Sequence, residues 1–345
     1  MSDTDDTPRS TPRVVAAGHI NWDVTMHVRQ LPEPDGEVAI DRLIQSGGGS
    51  AANVAVGLVG LDVPAAVYGS VGGDDSGALA LRELDRSGVE TGSVLIDPRG
   101  QTSVKYLVVD ENGEVMVFAN EGANESFSAA DVDASVFEGI EHLHLTSQRP
   151  ETASELAVTA ARMGATVSFD PGRRVGDRNY GPALARSDVL FLNAREAEIV
   201  SAGSIDPTAP EDRIVVVKRG ADGAAVYTPT GEISHPGYPI EAVDTTGAGD
   251  AFAAGFISVL LGDRLRRLDA GEDVDAEEDG IRNAPSSEND RTDWTASGLP
   301  TEPDAYERAL RVGNACGAIA AGEATARVSL SWDAIERFDE TDQSG

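Results

Sequence analysis

Residues 243–256 read VDTTGAGDAFAAGF, a run of small residues ending in an acid at the mouth of an apolar helix. Asp244, Thr245 and Thr246 lead into Gly247-Ala248-Gly249, and Asp250 opens the helix. Small residues let successive backbone N–H groups point at one spot, and the positive end of the helix dipole adds to them, so the loop is an anion site. A carboxylate placed there can take a proton from a hydroxyl about to attack a phosphoryl group. The same residues also describe an N-cap after a glycine turn. On their own they leave both readings open.

Other polar residues stand at the ends of apolar runs. Asn193 and Glu196 follow DVLFLN, three apart and so on one face of a first helical turn, the spacing of a capping box. Lys218 ends RIVVVK just ahead of RGADG, within reach of phosphate oxygens or as a solvated strand-end cation. Asn21 and Asp23 end the first strand, and Gly48, Gly49 and Asn53 belong to a GGGSAAN turn. Amide and carboxylate groups can bind vicinal sugar hydroxyls, and glycines let the backbone come close; a plain helix start is the other reading. Gly47, Gly49 and Ala52 also match the dinucleotide fingerprint, but no acid follows on the second strand until Asp74, which leaves an oxidoreductase as a weak alternative. His142 and His144 share a strand face without a third ligand type nearby, so they read as core or pocket packing, with His19 as a lining residue.

The elements that must position these residues alternate along the chain. Short β-branched runs take turns with alanine-rich amphipathic stretches, which predicts an α/β fold with a mainly parallel sheet covered on both faces. Two strand pairs break the alternation, within 22–46 and 102–120, the second turning at Asn112-Gly113. Strands of this kind can form a small lid sheet over a site at the carboxyl ends of the core strands. Residues 1–13 read as a disordered tail and 14–345 as a single domain. Within it, the acidic, Pro- and Ser-rich stretch 263–303 reads as a disordered insertion between a helix at 248–261 and one at about 304–322.

Composition narrows the partners. The chain has 345 residues and a formal net charge of −32, and all but two of its 27 basic residues are arginine, the exceptions being Lys105 and Lys218. Such a field repels nucleic acid and anionic membrane surfaces and favours a small-molecule partner. Acidic excess with lysine depletion points to a salt-rich cytoplasm, where the charge is screened. The lone cysteine, Cys316, allows no intrachain disulfide and no cysteine zinc cluster. The opening residues lack a signal-peptide pattern, and no run approaches the roughly 18 apolar residues of a spanning helix, so a cytoplasmic location is expected.

GAGD before a helix, paired with GGGSAANVA near the front, resembles the two signatures of the PfkB (ribokinase-like) sugar and nucleoside kinases. AGHINWD, NAREAE, VVVKRGADGA and RVGNACGAIA fit in order, and the resemblance covers roughly residues 14–262 and 304–338. It implies a ribokinase-like three-layer sandwich with a small β-sheet lid. It makes Asp250 the catalytic base and the amides of Gly247, Ala248 and Gly249 the hole for the transferring phosphoryl group. ATP contacts fall to Asn193, Lys218, Gly220, Asp222, Gly223 and Asn314, a hydrated Mg²⁺ to Asn193 and Glu196, and K⁺ to Asp244 and Thr246. The acceptor falls to Asn21, Asp23, Gly48, Gly49 and Asn53. A Walker P-loop and an HRD catalytic loop are both absent from the sequence. A non-catalytic sugar sensor on the same fold is disfavoured by the intact Asp250, Asn193 and Glu196.

QLPEPDG, VSFDPG and SWDAIERF look closest to the archaeal nucleoside kinase branch, which implies a furanose whose primary hydroxyl faces Asp250. One departure is the strand end EHLHLTSQRP, where Gln148-Arg149 replaces the acid common in ribokinases. Arg149, Arg173, Arg174 and Lys105 together could face the far end of the sugar, and guanidinium forks suit phosphate. An anionic acceptor such as ribose 1-phosphate is expected ahead of a nucleoside, with ribose third; pairing of these arginines with surface acids is the alternative. The resemblance also implies a homodimer through the lid strands.

Overall fold

Runs such as VVAA, HLHL, TVSF, VLFLN and IVVVK are buried along nearly their whole length, as strands must be when helices cover both faces of a parallel sheet. The computed structural model describes residues 11–112, 114–203, 205–208, 210–269, 299, 303–323 and 327–342. Its first half runs β1 (Val14–Ala17), β2 (Asn21–Val28), β3 (Ile40–Gly48), α1 (Ser50–Gly60), β4 (Ala65–Tyr68), β5 (Ser70–Gly72), α2 (Asp75–Arg86), β6 (Leu95–Asp97), β7 (Ser103–Val109) and β8 (Val115–Ala119). There follow β9 (His142–Leu145), α3 (Pro150–Arg162), β10 (Thr166–Phe169), α4 (Gly181–Leu184), β11 (Val189–Asn193), α5 (Ala194–Ser201), β12 (Ile214–Lys218), β13 (Ala224–Thr228) and β14 (Gly231–His235). The chain closes with α6 (Ala248–Asp269), α7 (Pro303–Ala321) and α8 (Trp332–Asp342).

Eight strands form one sheet in the order β14-β13-β12-β11-β10-β9-β1-β4. From β4 to β12 the strands run parallel, while β13 and β14 fold back antiparallel. The period of two along each strand sorts side chains between two cores. Val14, Ala16, Phe191 and Val216 pack with α1, α6 and α7 on one face. Val15, Ala17, Leu145, Phe169 and Leu192 pack with α3 on the other. The expected three-layer α/β arrangement is what forms.

The lid is a separate sheet in the order β3-β2-β7-β8, with β2 and β7 parallel and the outer pairs antiparallel. Asp110 Oδ1 accepts from the backbone of Asn112 and Glu114 and closes the β7–β8 hairpin; Gly113 of the expected turn lies outside the described residues.

Two boundaries move. Of the tail expected at 1–13, residues 1–10 lie outside the described residues, but Arg13 is tied down: its N–H donates to Pro64 O and its guanidinium forks onto Glu141 at 2.5 and 2.9 Å. The first residues of the expected insertion continue α6 to Asp269, since Arg and Leu are good helix formers and carry the helix past the apolar stretch. Residues 270–298 and 300–302 of that insertion lie outside the described residues. No described helix is long and apolar enough to cross a membrane.

His142 and His144 are core residues. The His142 ring nitrogens meet Thr166 Oγ1 and Ser168 Oγ at 2.7 Å, and His144 Nδ1 meets Ser168 Oγ at 2.7 Å. Burial and the charge of Lys218 lower the His144 pKa to about 3, so the ring is neutral at working pH. Phe191, fully buried, meets the rings of His144, Phe252 and Phe256 edge-on. Phe191→Ala is expected to cost about 3–5 kcal/mol of stability, measured as a lower unfolding midpoint in concentrated KCl. An unchanged midpoint would contradict this packing.

Candidate active site

Neighbouring parallel strands each deliver a polar residue to the same edge of the sheet: β9 runs out to Gln148, β10 to Asp170, β11 to Asn193 and β12 to Lys218. Asn193 and Lys218 are register partners. Lys218 Nζ donates to Asp170 Oδ2 at 2.6 Å, with both side chains 16% exposed. Lys218 is therefore not a solvated strand-end cation. Burial works against its charge, but Asp170, Glu196 and Asp250 outweigh that and raise its pKa.

Asn193 and Glu196 form the capping box that starts α5: Asn193 Oδ1 accepts from Glu196 N and Glu196 Oε2 from Asn193 N, each at 2.9 Å. Burial, then repulsion from Asp170, pushes the Glu196 carboxyl above its ordinary pKa. A buried carboxylate beside a second one suits a divalent cation, and the donors here fit Mg²⁺, which keeps waters and takes one or two carboxylates plus phosphate oxygens. Among the described residues no three His, Cys, Asp or Glu side chains converge into a metal cage.

This polar edge meets the start of α6. Thr246 N donates to Asp244 Oδ1 at 2.8 Å, Gly247 turns the chain at φ 79°, and α6 begins at Ala248. A methyl group on Gly249 would lie 3.2 Å from Lys218 Nζ, so the ammonium stands against the glycine turn. Amides, dipole and ammonium converge at one spot, an arrangement that suits an anion. Asp250, in the first turn of α6, accepts from Asn53 Nδ2 at 2.9 Å. Its pKa is raised by burial and by Asp170, against the Asn53 bond and the charges of Lys218 and Lys105.

Asn53 sits in the first turn of α1, its N–H bonded to Gly49 O. Just before it, Gly48 packs against Asp23 so closely that a Cβ would lie 2.4 Å from Asp23 Oδ2. Burial, the largest influence, raises the Asp23 pKa, while Lys105 and Arg327 oppose the shift. Asp23 Oδ1 and Gln148 Oε1 are buried without a hydrogen-bond partner. Such orphaned acceptors suit a ligand's hydroxyls.

Sequence reasoning missed several residues of this site. Arg327, its side chain 5% exposed, donates from Nη2 to Gly48 O at 3.0 Å, from Nη1 to Glu83 Oε1 at 3.0 Å, and from Nε toward Asn53 Oδ1 at 3.4 Å. Glu83 in turn accepts from Gly47 N with both oxygens. The one available signal was an arginine set between alanine and valine in ATARVSL. Asn124 donates to Asn21 Oδ1 at 2.7 Å and accepts from Ile20 N. Asp170 was visible only as the acid of VSFDPG.

The expected cation group is redrawn. Arg149 is exposed and donates to Glu125 O. Arg173 is exposed and its charge acts on Glu196, because the 3₁₀ turn Gly172–Gly176 rotates it away from its neighbour. Arg174 pairs with Glu121 and Glu125, and Arg178 joins the group by forking onto Glu125. Lys105 faces Asp23 and Asp250, on whose carboxyls its charge acts.

Among the residues expected to meet the nucleotide, Gly220 and Asp222 form a 3₁₀ turn between β12 and β13 with Asp222 exposed. A Cβ on Gly223 would strike His235 O and Gly237 N, so a backbone contact inside the protein already requires glycine there. Asn314 is buried in α7 and donates to Leu310 O of its own helix.

Comparison with known proteins agrees with this geometry. A family profile described as pfkB family carbohydrate kinase matches residues 11–274. An ATP-dependent ribose-1-phosphate kinase of Halopiger xanaduensis is 48% identical over 334 residues, 95% of this chain and 99% of the relative. The solved nucleoside kinase of Methanocaldococcus jannaschii, a member of the ribokinase family, superposes with TM-score 0.71 at 22% identity over 96% of this chain and 99% of its own. A protein described as a ribokinase II of E. coli, solved with ATP and Mg²⁺, gives TM-score 0.71 at 21% identity over 96% and 99%. With the glycine turn, the acid that follows it and the strand-end polar row all in place, the chain belongs to the pfkB family of carbohydrate kinases.

Proposed function

We propose that the chain catalyses ATP-dependent phosphoryl transfer to the primary 5-hydroxyl of ribose 1-phosphate, giving ribose 1,5-bisphosphate. The observation that carries this reading is the 48% identity to a ribose-1-phosphate kinase across nearly the full length of both chains. Asp250 takes the proton of the attacking hydroxyl, and Asn53 holds its carboxylate in place. The amides of Gly247, Ala248 and Gly249, with Lys218 beside them, receive the transferring phosphoryl group. Asp23, Asn21 and the Gly48 backbone orient the ribose hydroxyls. Glu196, Asp170 and Asn193 would hold Mg²⁺ through water, and the ion would supply neutralisation of the nucleotide's phosphate charge. K⁺ beside Asp244 and Thr246 would brace the turn ahead of the anion hole.

A homodimer through the lid is part of the same reading. Ile40, Leu43, Tyr106, Val115, Val117 and Phe118 leave large apolar area exposed on that sheet. Cytoplasmic residence fits the charge of the chain.

The acceptor is tested by ADP release from Mg-ATP in concentrated KCl with ribose 1-phosphate, ribose, guanosine and cytidine compared. The highest kcat/KM is expected for ribose 1-phosphate; preference for a nucleoside would overturn the assignment and leave the kinase chemistry standing. Asp250→Asn is expected to lower kcat by on the order of 10²- to 10⁴-fold with the unfolding midpoint retained, and wild-type turnover would remove Asp250 as the base. A base acts only when ionised, so kcat/KM falls as pH drops through the raised Asp250 value, and the acid limb lies above the ordinary carboxylate range. The Arg327 charge interacts with Asp250, so Arg327→Gln is expected to move that limb to higher pH. A limb that stays in place would contradict the coupling.

A further inference from the structure

The loop after β8 is docked onto the acceptor end of the site. Asn124 bridges Asn21 Oδ1 and Ile20 N, and the next residue, Glu125, is thereby held beside the first strand's exit. Arg178 donates to Glu125 as a two-bond fork, Nη1 to Oε1 at 2.6 Å and Nη2 to Oε2 at 3.1 Å. Arg174 Nη1 lies 3.6 Å and His19 Nε2 3.5 Å from Glu125 Oε1. The Glu125 side chain is 19% exposed. Burial pushes its carboxyl up, but His19 and Arg178 outweigh that and hold its pKa down to about 2.

The cations exceed the charge they hold. Two guanidinium groups face one half-buried carboxylate, and the other acid on Arg174, Glu121, is 71% exposed and counts for little. A phosphate monoester carries about −1.5 to −2 charges and three acceptor oxygens, and it fits the fork geometry that the carboxylate already uses. The group also touches the acceptor pocket directly. Arg178 Nη1 donates to Gln148 O at 2.9 Å, and Gln148 Oε1 is buried without a partner. Contacts lead from Asp250 to Asn53, through Arg327 to Gly48, on to Asp23 of β2, and from Asn21 of the same strand to Asn124, whose neighbour Glu125 holds the cations.

We propose that Arg178, Arg174 and His19 form the subsite for the anomeric phosphate of the acceptor, and that the Glu125 carboxylate occupies it as a built-in stand-in which the phosphate displaces. This rests on the ribose 1-phosphate reading above. Asn124 keeps the Glu125 backbone in place, so displacement needs only a turn of the Glu125 side chain. The stand-in offsets part of the arginines' charge when the site is empty, and a neutral acceptor cannot replace it. Selectivity for a phosphorylated sugar follows from that exchange.

The test compares wild type, Arg178→Gln, Arg174→Gln and Glu125→Gln in concentrated KCl, with unfolding midpoints taken in the same buffer. Each arginine variant is expected to narrow the kcat/KM preference for ribose 1-phosphate over ribose by about 10- to 100-fold, the effect of losing a charge-assisted hydrogen bond. Glu125→Gln, which removes the competing charge, is expected to lower KM for ribose 1-phosphate and to make inorganic phosphate a tighter competitive inhibitor. If wild type uses ribose 1-phosphate and both arginine variants keep its preference, the subsite lies elsewhere. If Glu125→Gln weakens ribose 1-phosphate and inorganic phosphate alike, Glu125 is a brace and the stand-in is wrong. If wild type does not use ribose 1-phosphate at all, it is the substrate reading that fails, and this subsite falls with it.

Discussion

The proposed chemistry depends on keeping the half-buried Asp250 carboxylate ionised in a chain of net charge −32. Asp250 can act as a base only in its charged form, yet burial and Asp170 both favour the protonated form. Asn53 opposes them through a hydrogen bond, and Lys218 and Lys105 through charge. Those are the only two lysines in the sequence. A compact ammonium fits against a glycine turn where a guanidinium fork would be too broad, which accounts for lysine at Gly249 in a chain otherwise committed to arginine.

The fold supplies the rest of that balance by geometry. Parallel strands end together, so Asp170, Asn193 and Lys218 come from adjacent strands to one edge without long connections. The amino end of α6 faces the same edge and brings its dipole and Asp250 with it. Arg327 closes the other flank: it ties the Gly48 carbonyl, the Asn53 amide and Glu83 into one network. Fixing the Asn53 Oδ1 side fixes which end of that amide faces Asp250. The placement of Asp250 and the compensation of its charge are thus built from the same few contacts.

Much of this was legible in the sequence because it is local. Strand and helix alternation gave the parallel sheet, the lid hairpins stood out as breaks in it, and the glycine turn with Asp250 lies within a single segment. The Asn193–Glu196 spacing was equally plain, and the capping box the sequence offered does form. Arg327 was not legible, since it reaches Asn53 across 274 positions of sequence and carries no motif of its own. Arg173 and Arg174 could not be told apart either, and Arg178 was not singled out at all. Which of the pair turns toward Glu125 is decided by how a 3₁₀ turn rotates consecutive side chains, a property of the fold rather than of composition. The need for glycine at 223 has a cause the sequence did not show, since its backbone neighbours come from β14 and the turn after it.

The central claim, that Asp250 and the glycine turn act on the far hydroxyl of an already phosphorylated ribose, is tested most directly by the regiochemistry of the product. Phosphorus–proton correlation NMR of a reaction containing Mg-ATP and ribose 1-phosphate should show ADP formed in step with a second phosphate resonance coupled to the two C5 protons, the anomeric phosphate remaining in place. A new phosphate on a ring hydroxyl, or ADP formed with no second phosphate on the sugar, would contradict the account.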